Sequence, residues 1–522
     1  MTANTPARRA GRREWIALAA IALPCALYSM DLTVLNLAVP ALSEHLKPTA
    51  SQLLWIVDIY GFLVAASLIA MGTLGDHIGR RRLLLMGSVG FGIASVLAAF
   101  SNSAEMLIAA RALLGIAGAT IAPSTLSLIR NMFLDASERT FAIGVWVTSY
   151  SIGSALGPLI GGLLLEHYWW GSVFLLAVPA TLLLLVVGPM LLPEFRAPST
   201  ERIDLWSVAL SLVAVLSVVY GLKQMAEHGF GGWPAIYVVS GVAIGALFVR
   251  RQRTLADPLI DLRLFRNPLF SVAVTTYTLS LFVALGIFLL MAQYLQLVLG
   301  LSPLTAGLWT IPSSVGFVVG SLVAPVVVRY MHPAFAMAGS LALAAVGFAL
   351  LTQTDGDFAL AILVTGSFIL SFGISPVVTL ATDLVVGTAP PEHAGAAAAI
   401  SETGAELGGA LGIALLGSIA IAVYRDVMTH AAPIGIAPDK LAAASATLGG
   451  AVAVAGLLPV HDGAQLLGAA RTAFVESFHV AAGLSAIILI VLSIATAVVL
   501  RRASARIEAV HGPRARLRRY KN

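Results

Sequence analysis

Five ionisable side chains sit inside long apolar runs of this chain: Asp31, Asp58, Arg111, Glu402 and Glu406. Charge in a hydrocarbon setting is costly, so such residues mark proton, ion or substrate pathways. Counting along the runs at about 1.5 Å per residue places Asp31, Asp58 and Arg111 in the outer half of one bundle. A cluster of two acids and one base can hold or release a proton as its surroundings change between wet and dry; the alternative is a fixed Asp–Arg staple. Glu402 and Glu406 lie four residues apart and share one helix face near mid-depth. Their own helix carries no Lys or Arg to neutralise them, so at least one is expected to hold a proton until a cation takes its place. In the alternative reading, one Glu bonds a backbone carbonyl and the other serves helix packing.

Bond-making chemistry has little support. The histidines form no HExxH and no close pairs, no lysine follows a glycine, and the single cysteine, Cys25, excludes disulfides within the chain. No metal, no cofactor and no catalytic residues are expected, and a membrane enzyme or receptor would need a constellation or soluble domain that is missing. The charged rings or carbonyl filter of a channel are not seen either.

The elements that position these residues are membrane helices. With 522 residues, 58% hydrophobic and 11% charged, the chain reads as an all-α membrane protein. Apolar stretches of about 20 residues fall near 15–38, 51–71, 83–101, 105–128, 140–165, 171–192, 205–222, 234–250, 269–292, 303–328, 335–352, 358–382, 394–423 and 478–500. The first run is too long for a secretory signal and reads as a retained helix. The net charge of +5 does not point to nucleic acid, because most of the 31 Lys and Arg residues fall in segments on the N-terminal side of the membrane. That bias places both termini in the cytoplasm. The basic tail Arg501–Lys521 is expected to meet anionic lipid headgroups. Spans of six, two and six suggest a bundle over 1–192, a linker and two inserted helices over 193–268, and a second bundle over 269–522, with an outer insert at 424–477.

Other residues bear on substrate and motion. Trp146 and Tyr150 share a face of the fifth span and could stack on a cation, or simply pack. Tyr277, Phe288 and Met291 in the ninth span have the same standing. Trp169–Trp170 reads as an interfacial anchor. The stretch Gly72–Leu84, GTLGDHIGRRRLL, reads as a tight loop in which Gly72 and Gly79 permit turning, Asp76 approaches a helix N-terminus and three arginines mark the cytoplasmic side. Gly153, Gly157 and Gly161 recur every four residues with Pro158 among them, giving a smooth, bendable helix face.

These motifs carry a family resemblance. Gly72, Leu74, Asp76, Gly79, Arg80 and Arg81 resemble the loop between helices 2 and 3 of the major facilitator superfamily. Met30–Leu42, with Asp31, Thr33, Asn36 and Pro40, resembles the first helix of its fourteen-helix drug:proton antiporters. Arg111 and Gly115 resemble the helix-4 motif tied to proton coupling, with Leu114 where a Gln is frequent. Gly153–Gly162, GSALGPLIGG, resembles the antiporter motif G-x-x-x-G-P-x-x-G-G, and Tyr294–Leu308 and Glu402–Gly417 extend the likeness to the second half. Val328–Phe335 lies where that half should repeat the Gly72 loop, but keeps only Arg329.

The resemblance implies two six-helix bundles plus two inserted helices, rocking around a central site. It implies a monomer that uses the proton gradient to export lipophilic cations such as quaternary ammonium compounds. Asp31, Asp58 and Arg111 would couple protons; Glu402, Glu406 and the aromatic residues would bind substrate; Asp76 and Arg80 would latch the halves when the site faces outward. The alternative is a transporter of the same build that exports a native metabolite or antibiotic.

Overall fold

A backbone in hydrocarbon must satisfy its own hydrogen bonds, and helices do so within each segment. The computed structural model describes residues 9–48, 50–196, 204–228, 232–255, 258–431 and 436–511, and among them finds helices and no strands. The first bundle holds α1 (Arg12–Leu46), α2 (Ala50–Ile78), α3 (Arg80–Ala99), α4 (Ala104–Gly118), α5 (Ile121–Met132), α6 (Ala136–His167), α7 (Ser172–Leu175) and α8 (Ala177–Leu191). Then come α9 (Leu205–His228) and α10 (Trp233–Gln252). The second bundle holds α11 (Pro268–Gln293), α12 (Pro303–Tyr330), α13 (Pro333–Leu351), α14 (Ala359–Thr388) and α15 (Ala394–Ala431). Short α16 (Pro438–Ala446) and α17 (Leu448–Ala455) lead to the long α18 (Val460–His511). Among the described residues, fourteen stretches are long and apolar enough to cross a membrane.

The ends differ from the sequence reading in four places. The loop expected at Gly72–Leu84 shrinks to Gly79 alone, whose φ of +111° favours glycine. Gly72 lies inside α2, where it serves packing rather than turning. The fourth span is broken at Ala119–Thr120 into α4 and α5. The segment 424–477 is mostly helical: α15 runs on to Ala431, α18 starts at Val460, and α16 and α17 lie between, with the Tyr424 hydroxyl donating to the Ala444 carbonyl at 2.9 Å. Trp170 is buried beside Phe174, not an anchor, whereas Trp169 stays half exposed and donates to the Ala99 carbonyl. Residues 512–522 of the basic tail lie outside the described residues.

Close approach of helices is set by small residues. A methyl at Gly153 would stand 2.0 Å from the Ala26 carbonyl oxygen, and methyls at Gly157 and Gly161 would strike Thr33 and Val34. These three therefore seat α6 directly on α1; the Pro158 side chain lies outside the described residues. Gly404, Gly408 and Gly412 seat α15 on α11 in the same way, against Thr278 and Phe282. The two bundles meet through α6 and α12, α2 and α15, and α5 and α15. Helix α9 lies against both α2 and α15, so the inserted pair covers the seam between the bundles on that side. Outside the membrane spans, Asp204 is tied to Arg251 at 2.8 Å. That hydrogen bond holds its carboxyl down at about 2, below the usual carboxylate value. The tie is thus present at any pH above that range and fades only as pH falls towards 2.

Candidate functional site

The first polar group lies inside the N-terminal bundle. Asp31 on α1 and Arg111 on α4 form a buried ion pair at 2.7 Å, with side chains 10% and 2% exposed. The Arg111 Nε also donates to the Ile56 carbonyl at 3.2 Å, and its guanidinium lies 4.7 Å from the centre of the Tyr60 ring. Asp58 does not join them. It pairs with Lys223 of α9, 18% and 39% exposed. Depth along a span gives height but not direction, and this separates the two acids. Asp58 is two positions past Ile56, about 200° further round the helix, so it faces the inserted pair instead of Arg111.

The second group lies where the bundles face each other. Glu402 on α15 accepts a hydrogen bond from the Tyr277 hydroxyl on α11 at 3.3 Å. Tyr28 of α1 lies 6.0 Å from the Tyr60 ring that Arg111 covers. Tyr150 packs edge-on to Tyr28 at 5.7 Å and against Trp146 at 4.7 Å. Trp146 is buried, its indole donating to Thr125 at 2.9 Å, so it braces Tyr150 from behind. The Tyr150 hydroxyl is buried with no hydrogen-bond partner among the described residues. Phe288 and Met291 lie about 16 and 21 Å beyond Tyr277 along α11, and no described contact brings them to the glutamates.

The third group ties the bundles at the end carrying the α2–α3 turn. Asp76 accepts from the backbone N–H groups of Gly395 and Ala396, at 3.2 and 3.1 Å, and so caps α15 of the opposite bundle. Arg80, buried, holds Asp76 at 2.8 Å and donates to the Pro391 carbonyl at 2.5 Å. Contact is close because Gly72 meets Gly395: a methyl on Gly72 would stand 2.6 Å from the Gly395 carbonyl oxygen. Glu194 occupies the space beside Gly79 and pairs with Arg81 at 3.5 Å.

Sequence reasoning missed three features. Arg139 of α6 bonds Asp383 of α14 at 2.7 Å, a second tie across the bundles, reinforced by Thr140 at 2.6 Å. Ser321 donates to the Gly144 carbonyl at 2.7 Å, and Lys223 reaches Asp58. Arg139, Asp383 and Lys223 sit at span ends, where charge is normally solvated, so nothing in their spacing sets them apart. Tyr28 and Tyr60 were signalled only by falling on the same helices as Asp31 and Asp58.

Two bundles joined by small-residue seams, with a charged interior and a latched end, define a polytopic secondary-transporter fold. The sequence model of the Major Facilitator Superfamily matches residues 21–413, and the chain belongs to that superfamily. It is 43% identical over 494 residues to the multidrug efflux pump LfrA of Mycolicibacterium smegmatis, covering 95% of this chain and 98% of that one. It is 36% identical to the methyl viologen resistance protein SmvA of Salmonella typhimurium, covering 92% and 97%. Likeness to the tetracenomycin C resistance and export protein of Streptomyces glaucescens is 30%, covering 92% and 90%. The crystal structure of the human organic anion transporter MFSD10 (TETRAN) aligns with a TM-score of 0.59 at 17% identity, covering 91% and 99%, which shows a shared fold.

Proposed function

We propose that the protein is a proton-coupled antiporter exporting lipophilic cations, quaternary ammonium compounds among them, by alternating access. The observation that carries this reading is the Glu402–Glu406 pair, one helical turn apart on α15, with the Tyr277 hydroxyl donating to Glu402 and with Arg425 of the same helix standing near its far end. Two acids in a tyrosine-lined interior suit a cation with an apolar body. Similarity to LfrA and SmvA supports drug efflux. The bias of basic residues supports a bacterial inner-membrane protein with both termini in the cytoplasm. In that orientation the ties at Asp76, Arg80, Arg139 and Asp383 lie on the cytoplasmic side, which suits a state closed to the cytoplasm. A second reading, export of a native antibiotic or metabolite, is favoured by the likeness to the tetracenomycin C exporter.

Proteoliposomes with an imposed pH gradient test the first reading. Ethidium and benzalkonium should each move against their gradients, accompanied by opposite proton flux. Absence of drug-linked proton flux for every cation tried would overturn it.

The latch makes a separate prediction. Asp76→Asn keeps the shape but removes the acceptor charge that caps α15 and pairs Arg80. Breaking a buried pair of this kind biases the conformational equilibrium, and a shift of about 1.4 kcal/mol gives tenfold. Transport turnover should fall by about tenfold while ethidium affinity stays within about twofold. Wild-type turnover at equal expression would remove Asp76 from the cycle.

A further inference from the structure

The inserted helix pair brings one basic residue into the seam that it covers. Lys223 ends its reach on the Asp58 carboxylate of α2, with its ammonium 4.9 Å from the centre of the Phe62 ring. The surrounding wall is aromatic. Tyr220 packs edge-on to Phe62 at 6.2 Å and stacks on Trp55 at 5.9 Å with the planes 11° apart. Across the seam, Leu407 of α15 packs against the same Phe62 and Tyr220 rings. A carboxylate facing aromatic rings is the chemistry that recognises an organic cation, and here a tethered ammonium already fills it.

We propose that Asp58, Phe62, Tyr220 and Trp55 form a lateral cation site, separate from the Glu402–Tyr277 centre, in which Lys223 is the resident cation that an incoming lipophilic cation displaces. This rests on the reading of the protein as a cation exporter. Three features of the seam favour it. Trp55 is 39% exposed, which puts the site at the edge of the bundle where a membrane-dissolved cation arrives. Asp58 lies apart from the Asp31–Arg111 pair, so its charge is balanced by the inserted helix instead of by its own bundle. Leu407 of α15, next to Glu406, packs against Phe62 and Tyr220, so a displaced Lys223 moves along a wall that leads towards that carboxylate. The inserted pair thereby acts as a charge-specific door: a neutral molecule gains nothing at Asp58 and leaves Lys223 in place.

Equilibrium binding of ethidium and tetraphenylphosphonium to the full-length protein in detergent tests this. Lys223→Gln empties the site and should raise affinity for both probes by about tenfold, since a partly exposed ion pair no longer has to be broken. Lys223→Arg keeps the resident charge and should stay within about threefold of wild type. Asp58→Asn combined with Lys223→Gln should lose the gain. The gain should persist when Glu402 and Glu406 are both replaced by Gln, because the site is separate. Unchanged or weaker binding in a folded Lys223→Gln variant, with a lowered melting temperature, would make the pair a structural strut and overturn the proposal. Failure of the two readings is distinguishable. Wild-type protein that binds both probes with no Lys223 effect sinks the lateral site alone. Protein that binds neither probe in any variant sinks both readings.

Discussion

Asp31→Asn is expected to abolish proton-driven accumulation of a cationic substrate while leaving its downhill exchange measurable. The pair with Arg111 is almost wholly enclosed, and among the described residues Arg111 has the Ile56 carbonyl and the Tyr60 ring as further partners. Removing one partner leaves an uncompensated buried charge, a loss of about 3–5 kcal/mol, whereas removing both is far milder. The melting temperature should therefore fall in Asp31→Asn and recover in the double variant with Arg111→Gln. Coupling should recover in neither, because the carboxylate that would carry the proton is gone in both. This separates a coupling acid from a staple: a staple would regain transport together with stability. Proteoliposome assays of ethidium uptake with simultaneous proton flux give the readout. Intact drug-linked proton flux in Asp31→Asn would exclude Asp31 as the coupling acid.

The span order and the fourteen crossings were legible because apolar length is a one-dimensional property, and hydrocarbon thickness sets it. Turn tightness was less so. Gly72 and Gly79 look alike in the sequence, yet Gly79 bends the chain and Gly72 lets α2 touch Gly395 of the other bundle, a contact between positions far apart in the chain. The same limit explains Asp58. Its depth is close to that of Asp31, but its rotation about α2 turns it to Lys223, and rotation depends on which helix packs where. Lys223 falls just past the apolar run 205–222, where a charge is ordinarily solvated. A long apolar stem can carry an ammonium back along the helix to a buried acid, and only packing of α9 against α2 shows that it does. Phe288 and Met291 share a helix with Tyr277, but a shared helix does not set a shared height.

Glu402 and Glu406 are expected to read substrate charge unequally. Both lie on α15, which its glycines seat so close to α11 that the Tyr277 hydroxyl reaches Glu402. Glu406 adjoins Leu407, which packs in the cluster of Phe62 and Tyr220 beside Lys223, whereas Glu402 is bonded by the Tyr277 hydroxyl. A monovalent cation needs one carboxylate, and Glu402 is the one that the Tyr277 hydroxyl orients. A divalent cation such as methyl viologen needs both. At a few ångströms and an effective dielectric near 20, each carboxylate–cation attraction is on the order of 3 kcal/mol before the cost of desolvation. A net half of that is about tenfold in affinity. Glu402→Gln should therefore weaken a monovalent cation by about tenfold and a divalent one by more, because both of its charges feel the lost carboxylate. Glu406→Gln should leave the monovalent cation within about threefold and weaken the divalent one by about tenfold. Tyr277→Phe separates charge from hydrogen bonding, since it removes the hydroxyl but keeps the carboxylate; both affinities should stay within about threefold. The Kd values for ethidium and methyl viologen in detergent, from pH 6 to 8, supply the comparison. Equal weakening of both cations in both glutamate variants would show that the pair shapes the site without sensing charge.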